Sequence, residues 1–228
     1  MSRNKELSAQ TKKMCGMAMF IALSVAASFL TGWIDIQHLT FDAKDAVITI
    51  AAYIYGPVPA VIMSVISASL ESLISGFKTG PYGWLMDIVS SATFAFTAGL
   101  IYKRKRSFNG ALISLSAASA VLVGVMMLFN MIIAPLFFGL KPFDPFVMTQ
   151  IPVLYLPFNI AKALMNSAIV MYLYKPVTFA LTKAKLLDGG DKGSLSFNKN
   201  SLIIIISGVV ALAISIALFL VLHFGLLG

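Results

Sequence analysis

Along most of this chain apolar residues neither alternate nor recur at amphipathic spacing; they run on. A helix needs about 20 apolar residues to cross the hydrocarbon core of a bilayer. Uncharged runs of that size occupy 14–34, 46–70, 110–140 and 200–228, with near-runs at 84–102 and 145–174. The 14–34 run is too long for the apolar region of a signal peptide and meets no small-x-small cleavage site, so it reads as a retained span.

The 46–70 run is interrupted by Gly56-Pro57-Val58-Pro59. Proline removes a backbone donor and clashes with the preceding turn, so the run is one broken helix or two. Charge decides between them. A single crossing would put Lys103-Arg104-Lys105-Arg106 on the opposite side from the basic N-terminus. Two crossings gather the N-terminal cluster, Lys103–Arg106 and the basic residues beyond position 174 on one side, as the positive-inside rule requires. That side then holds thirteen of the 17 basic residues, while Lys44, Lys78 and Lys141 fall outside and Lys162 lies within a span. The predicted spans are 14–32, 42–55, 57–76, 83–102, 110–138 and 147–174. The second reaches only about 21 Å at 1.5 Å per residue, so neighbouring protein must cover its ends.

The expected organisation is a basic cytoplasmic N-terminus at 1–13, a six-helix membrane domain at 14–180, a polar cytoplasmic linker at 181–200 and a seventh hydrophobic segment at 201–228. Composition agrees: 59% of residues are hydrophobic and 11% charged, against about 25% charged in soluble domains. A single cysteine, Cys15, excludes a disulfide scaffold. The net charge of +8 is mostly an orientation signal and calls for no nucleic acid. The fold class is therefore an all-α integral membrane protein.

Ionisable groups inside spans are costly and point to function. Here they are Glu71, Asp87 and Lys162, joined by the amides Asn130, Asn159 and Asn166. Glu71, Asp87, Asn130, Asn159 and Lys162 all fall toward the outer ends of four spans, and aromatics including Phe41, Trp84, Tyr155 and Phe158 lie at the same depth. An apolar cavity with a few directed polar groups describes a small-molecule site. Asn159, Lys162 and Asn166 share one helix face, and Pro157 permits local unwinding beside them. Each residue has a plainer reading. Lys162 can pair with Glu71 or Asp87 as a structural ion pair, and Asn166 reads best as an inter-helix hydrogen bond. Ala18, Ala22 and Ala26 form a small-residue stripe on the first span, suited to internal packing or to an external docking face. No P-loop, Gly-x-Ser-x-Gly elbow or metal-ligand cluster is present, so an enzyme is not expected.

Several segments resemble a known family: Leu39-Thr40-Phe41-Asp42-Ala43-Lys44-Asp45; Gly56-Pro57; Thr79-Gly80-Pro81-Tyr82-Gly83-Trp84-Leu85-Met86-Asp87; Asn130 with Pro135; and Leu156-Pro157-Phe158-Asn159-Ile160-Ala161-Lys162. Together, over residues 10–180, they are similar to the substrate-binding S components of energy-coupling factor (ECF) vitamin transporters, and most to the riboflavin-specific members. The resemblance implies a six-helix protein of the bacterial cell membrane that captures a vitamin from outside. Such a protein docks on a transmembrane scaffold subunit carrying two cytoplasmic ATPases. Ala18, Ala22 and Ala26 would lie at the scaffold contact, Asn130, Asn159 and Lys162 would touch the flavin, and Leu39–Asp45 would form a lid. Riboflavin enters as transported ligand, with no cofactor expected. Asp87 and Glu71 are assigned to the ribityl hydroxyls on chemical grounds. The seventh segment exceeds the family's six-helix plan. Alternatives left open are another vitamin, a stand-alone proton-coupled transporter and a structural subunit.

Overall fold

The computed structural model describes residues 2–32, 35–36, 39–183 and the isolated positions 210, 213, 214 and 217. The expected linker from residue 184 on and the seventh segment, apart from those four positions, lie outside the described residues, as do Trp33 and His38.

Seven α-helices and one two-stranded hairpin make up the described fold. Helix α1 (Ser2–Thr31) is followed by β1 (Asp35–Ile36) and β2 (Leu39–Thr40), which pair antiparallel. Then come α2 (Lys44–Tyr55), α3 (Pro57–Ile74), α4 (Gly80–Arg104), α5 (Phe108–Phe137), the short α6 (Pro145–Gln150), a π-helical turn (Ile151–Tyr155) and α7 (Leu156–Lys183). Among the described residues, five segments are long and apolar enough to span a membrane: Gln10–Thr31, Pro57–Ile74, Gly80–Arg104, Asn109–Phe137 and Pro145–Tyr174.

Helix α2 is the exception in length. Its 12 residues extend about 18 Å, well short of a bilayer core of about 30 Å. It is tolerated because it sits inside the bundle, packed against α1, α3, α4 and α7, with nine of its residues buried. Gly99 of α4 shows how close the approach is: a Cβ there would stand 3.0 Å from Cβ of Ala52. The break between α2 and α3 falls at Gly56, whose φ of +98° is open to glycine but strained for other residues. Pro57 then starts α3, where its missing N–H costs nothing. The two helices fold back on each other, bringing the first turn of α2 to the last turn of α3.

The antiparallel order gives the bundle two unlike ends. One carries the hairpin, the start of α2, the α3–α4 turn and α6. The other carries the N-terminal part of α1, the Gly56 break and Lys103–Arg106. Near that second end Tyr53 stacks on Tyr102 at 4.0 Å between ring centroids. The Tyr102 and Tyr174 hydroxyls meet at 2.7 Å, and Tyr53 Oη meets Ser114 Oγ at 2.6 Å. These contacts tie α2, α4, α5 and α7 together.

One local expectation needs correction. Unwinding was expected beside Pro157, but the irregular turn lies just before it, at Ile151–Tyr155, where the Leu156 N–H reaches back to the Ile151 carbonyl. Proline at 157 cannot donate to the carbonyl four residues earlier, and the backbone widens ahead of it. Helix α7 runs on to Lys183.

Candidate substrate-binding site

The sequence places Lys44 on the outer side, in the Leu39–Asp45 segment that the resemblance makes a lid. It is the first residue of α2 and wholly buried. Its ammonium donates to Glu71 Oε2 of α3 at 2.6 Å and to Asp87 Oδ2 of α4. The reason lies in the preceding loop, which descends into the bundle before the helix begins: Phe41, Asp42 and Ala43 are buried with it. Glu71 and Asp87 keep 27% and 21% of their side-chain surface exposed, so neither is sealed as Lys44 is.

Lys162 does not pair with Glu71 or Asp87. Its Nζ lies 3.1 Å from Asp42 Oδ2 and 3.4 Å from Asp45 Oδ2. Asp45 is fully buried and also accepts from Ser90 Oγ at 3.3 Å and from Ser91 Oγ. One α2 entrance thus carries two linked ion-pair groups, four carboxylates against two ammoniums. Sequence reasoning missed Asp42, Lys44 and Asp45 as cluster members because it read them only as part of a lid and assigned them no ion-pair partners. The signal that would have found them is their alternation of sign immediately before an apolar run too short to span.

Asn166 completes this junction. Its Oδ1 accepts from the Ala46 N–H at 3.1 Å, and its Nδ2 donates to the Asp42 carbonyl at 3.3 Å. No side chain at Ala43 caps α2, so an amide from α7 satisfies an orphan donor of its first turn. This is the inter-helix role expected of Asn166.

The remaining predicted residues divide. Asn130 is fully buried on α5, and its Nδ2 donates to the Met126 carbonyl at 2.7 Å. Its Oδ1 is buried without a hydrogen-bond partner. Asn159 likewise donates to its own helix, at Tyr155 O, 2.8 Å. Phe158 packs with Leu154 and with Leu39 of β2, and Phe41 is buried. Trp84 is half-buried and donates from Nε1 to Ser69 Oγ at 3.3 Å, which links α4 to α3. Ala18, Ala22 and Ala26 lie elsewhere, on the exposed side of α1. The buried stripe of that helix is Gly16, Phe20, Ser24 and Ser28, with Ser24 Oγ 2.7 Å from Ser67 Oγ of α3.

Long apolar helices around a buried, internally paired polar cluster define a multi-pass helical membrane protein. Residues 12–177 match the family described as ECF transporter, substrate-specific component. The chain belongs to that family: it is a transporter subunit and not an enzyme. It is similar to "Riboflavin transporter RibU" of Staphylococcus aureus (strain TCH60), 28% identical over 173 residues that cover 73% of this chain and 90% of the relative. It is also similar to "Riboflavin transporter FmnP" of Bacillus subtilis (strain 168), 24% identical over 144 residues, covering 60% and 76%. Among solved structures it is similar to the one titled "Structure and mechanism of the S component of a bacterial ECF transporter". The TM-score is 0.63 at 26% identity, over 75% of this chain and 98% of that one.

Proposed function

We propose that this subunit captures riboflavin at the loop end of the bundle and delivers it for uptake, with energy supplied by partner ATPases through a transmembrane scaffold subunit. The observation that carries the reading is the Asn130 carbonyl oxygen. A buried acceptor without a donor is expensive in a native fold, and its own amide N–H is already committed to Met126. An imide N–H of the isoalloxazine edge is the donor such an oxygen needs, while Asn159 and Lys162 offer donors to the flanking carbonyl and ring-nitrogen acceptors. Phe41 and Phe158 supply apolar contact for the ring, and the partly exposed side chains of Glu71 and Asp87 suit the ribityl hydroxyls. The curated names of both relatives support the flavin.

Ala18, Ala22 and Ala26 leave a smooth exposed face on α1, which suits close approach of a scaffold helix. The basic residues of the N-terminal part of α1 and Lys103–Arg106 sit at the end away from the site, which supports a cytoplasmic N-terminus and capture from outside.

The test is an absorption and fluorescence spectrum of protein purified in mild detergent with no ligand added. A flavin spectrum at near one-to-one amount is expected. Colourless protein that also fails to quench added riboflavin overturns the flavin, and a thermal-shift screen of other vitamins then identifies the substrate.

A further inference from the structure

The two carboxylates on Lys162 are not equivalent. Asp45 belongs to the first turn of α2, is fully buried and is held by two serine hydroxyls of α4 as well as by Lys162. Asp42 lies upstream of the helix, in the irregular segment between β2 and α2. Its side chain is held by the Lys44 N–H at 3.2 Å and by Lys162 at 3.1 Å. One carboxylate is anchored on the frame and the other rides on the loop.

Lys162 and Asp42 are both almost wholly buried, with Phe41 and Ala43 buried on either side of Asp42, so reaching the ammonium from the loop side means drawing back the 41–43 segment. Drawing it back takes Asp42 with it. The exchange does not strand a cation, because Asp45 stays on Lys162, and it relieves a cluster in which carboxylates outnumber ammoniums. We propose that Asp42 is a built-in competitor for the ligand: in the empty protein its carboxylate occupies the Lys162 donor that a ligand carbonyl or ring nitrogen takes on capture, while Asp45 is the positioning residue that keeps the ammonium in place throughout. This rests on the reading that Lys162 contacts the substrate.

The experiment is stopped-flow quenching of riboflavin fluorescence by detergent-purified protein stripped of bound flavin, for wild type, Asp42→Asn, Asp45→Asn, Lys162→Met and the Asp42→Asn/Lys162→Met double variant. Asparagine keeps the shape and the bond to the Lys44 N–H but removes the competing charge. A charge-assisted hydrogen bond weakened in the empty state alone should raise the association rate of Asp42→Asn about ten-fold, with dissociation little changed. Asp45→Asn should show no such gain and should release riboflavin faster. In the Lys162→Met background the gain should vanish. A gain that persists there, or an unchanged or slower association in Asp42→Asn while Lys162→Met still weakens binding, overturns the competition and leaves the site reading standing. Unchanged affinity in Lys162→Met overturns both. Wild type supplies a check that needs no variant: its observed rate should saturate with riboflavin concentration, because opening precedes capture. A strictly linear dependence overturns the proposal.

Discussion

Lys44 Nζ donates to Glu71 Oε2 at 2.6 Å, across 27 residues of chain and between the first turn of α2 and the last turn of α3. This contact requires the two helices to form a tight hairpin, and with Asp87 it closes a three-helix corner around one buried ammonium.

Removing that ammonium should therefore be severe. Lys44→Met leaves Glu71 and Asp87 facing each other without a cation and should cost about 3–5 kcal/mol. The expected result is a large fall in the thermal midpoint in detergent, partly restored in the Lys44→Met/Glu71→Gln double variant. A midpoint within a degree of wild type would mean that the corner carries no stability.

Asn166 caps a helix to which it does not belong. Asn166→Leu keeps the volume but orphans the Ala46 N–H, and should lower stability by about 1–2 kcal/mol. Asn166→Asp should retain the acceptor for Ala46 while losing the donors to Asp42 and Lys162. Comparing the unfolding midpoints of the two variants separates the cap from the loop anchor.

Asn130 should separate stability from binding. Asn130→Leu removes an unpartnered buried acceptor together with one local hydrogen bond, so the ligand-free protein should unfold within about 1 kcal/mol of wild type. Riboflavin affinity should nonetheless fall by at least about ten-fold, the cost of one buried hydrogen bond to ligand. Equilibrium quenching titrations read this directly. Unchanged affinity would remove Asn130 from the site.

The exposed alanines should do the opposite of the site residues. Ala22→Trp on the open face of α1 should leave flavin affinity intact and abolish co-purification with the scaffold subunit. If the complex survives, the stripe faces lipid only.

Much of the architecture was legible in the chain itself. Bilayer transfer depends on the summed apolarity of about 20 consecutive residues, a one-dimensional property, and the distribution of lysine and arginine is one-dimensional too. Span boundaries, the two-helix reading of the Gly56-Pro57 run and the shared level of Glu71, Asp87 and Lys162 followed from these alone, as did the polar face of α7. Partners did not. Lys162 finds Asp42 across 120 residues, and Lys44 finds both Glu71 and Asp87, because of how each helix is rotated about its axis and which neighbours it packs against. Hydropathy fixes depth but carries no azimuth. The burial of Lys44 was hidden for the same reason. A charged residue next to a short apolar run reads as solvated until the surrounding helices close over it, and only then does its ammonium have to find carboxylates within the protein.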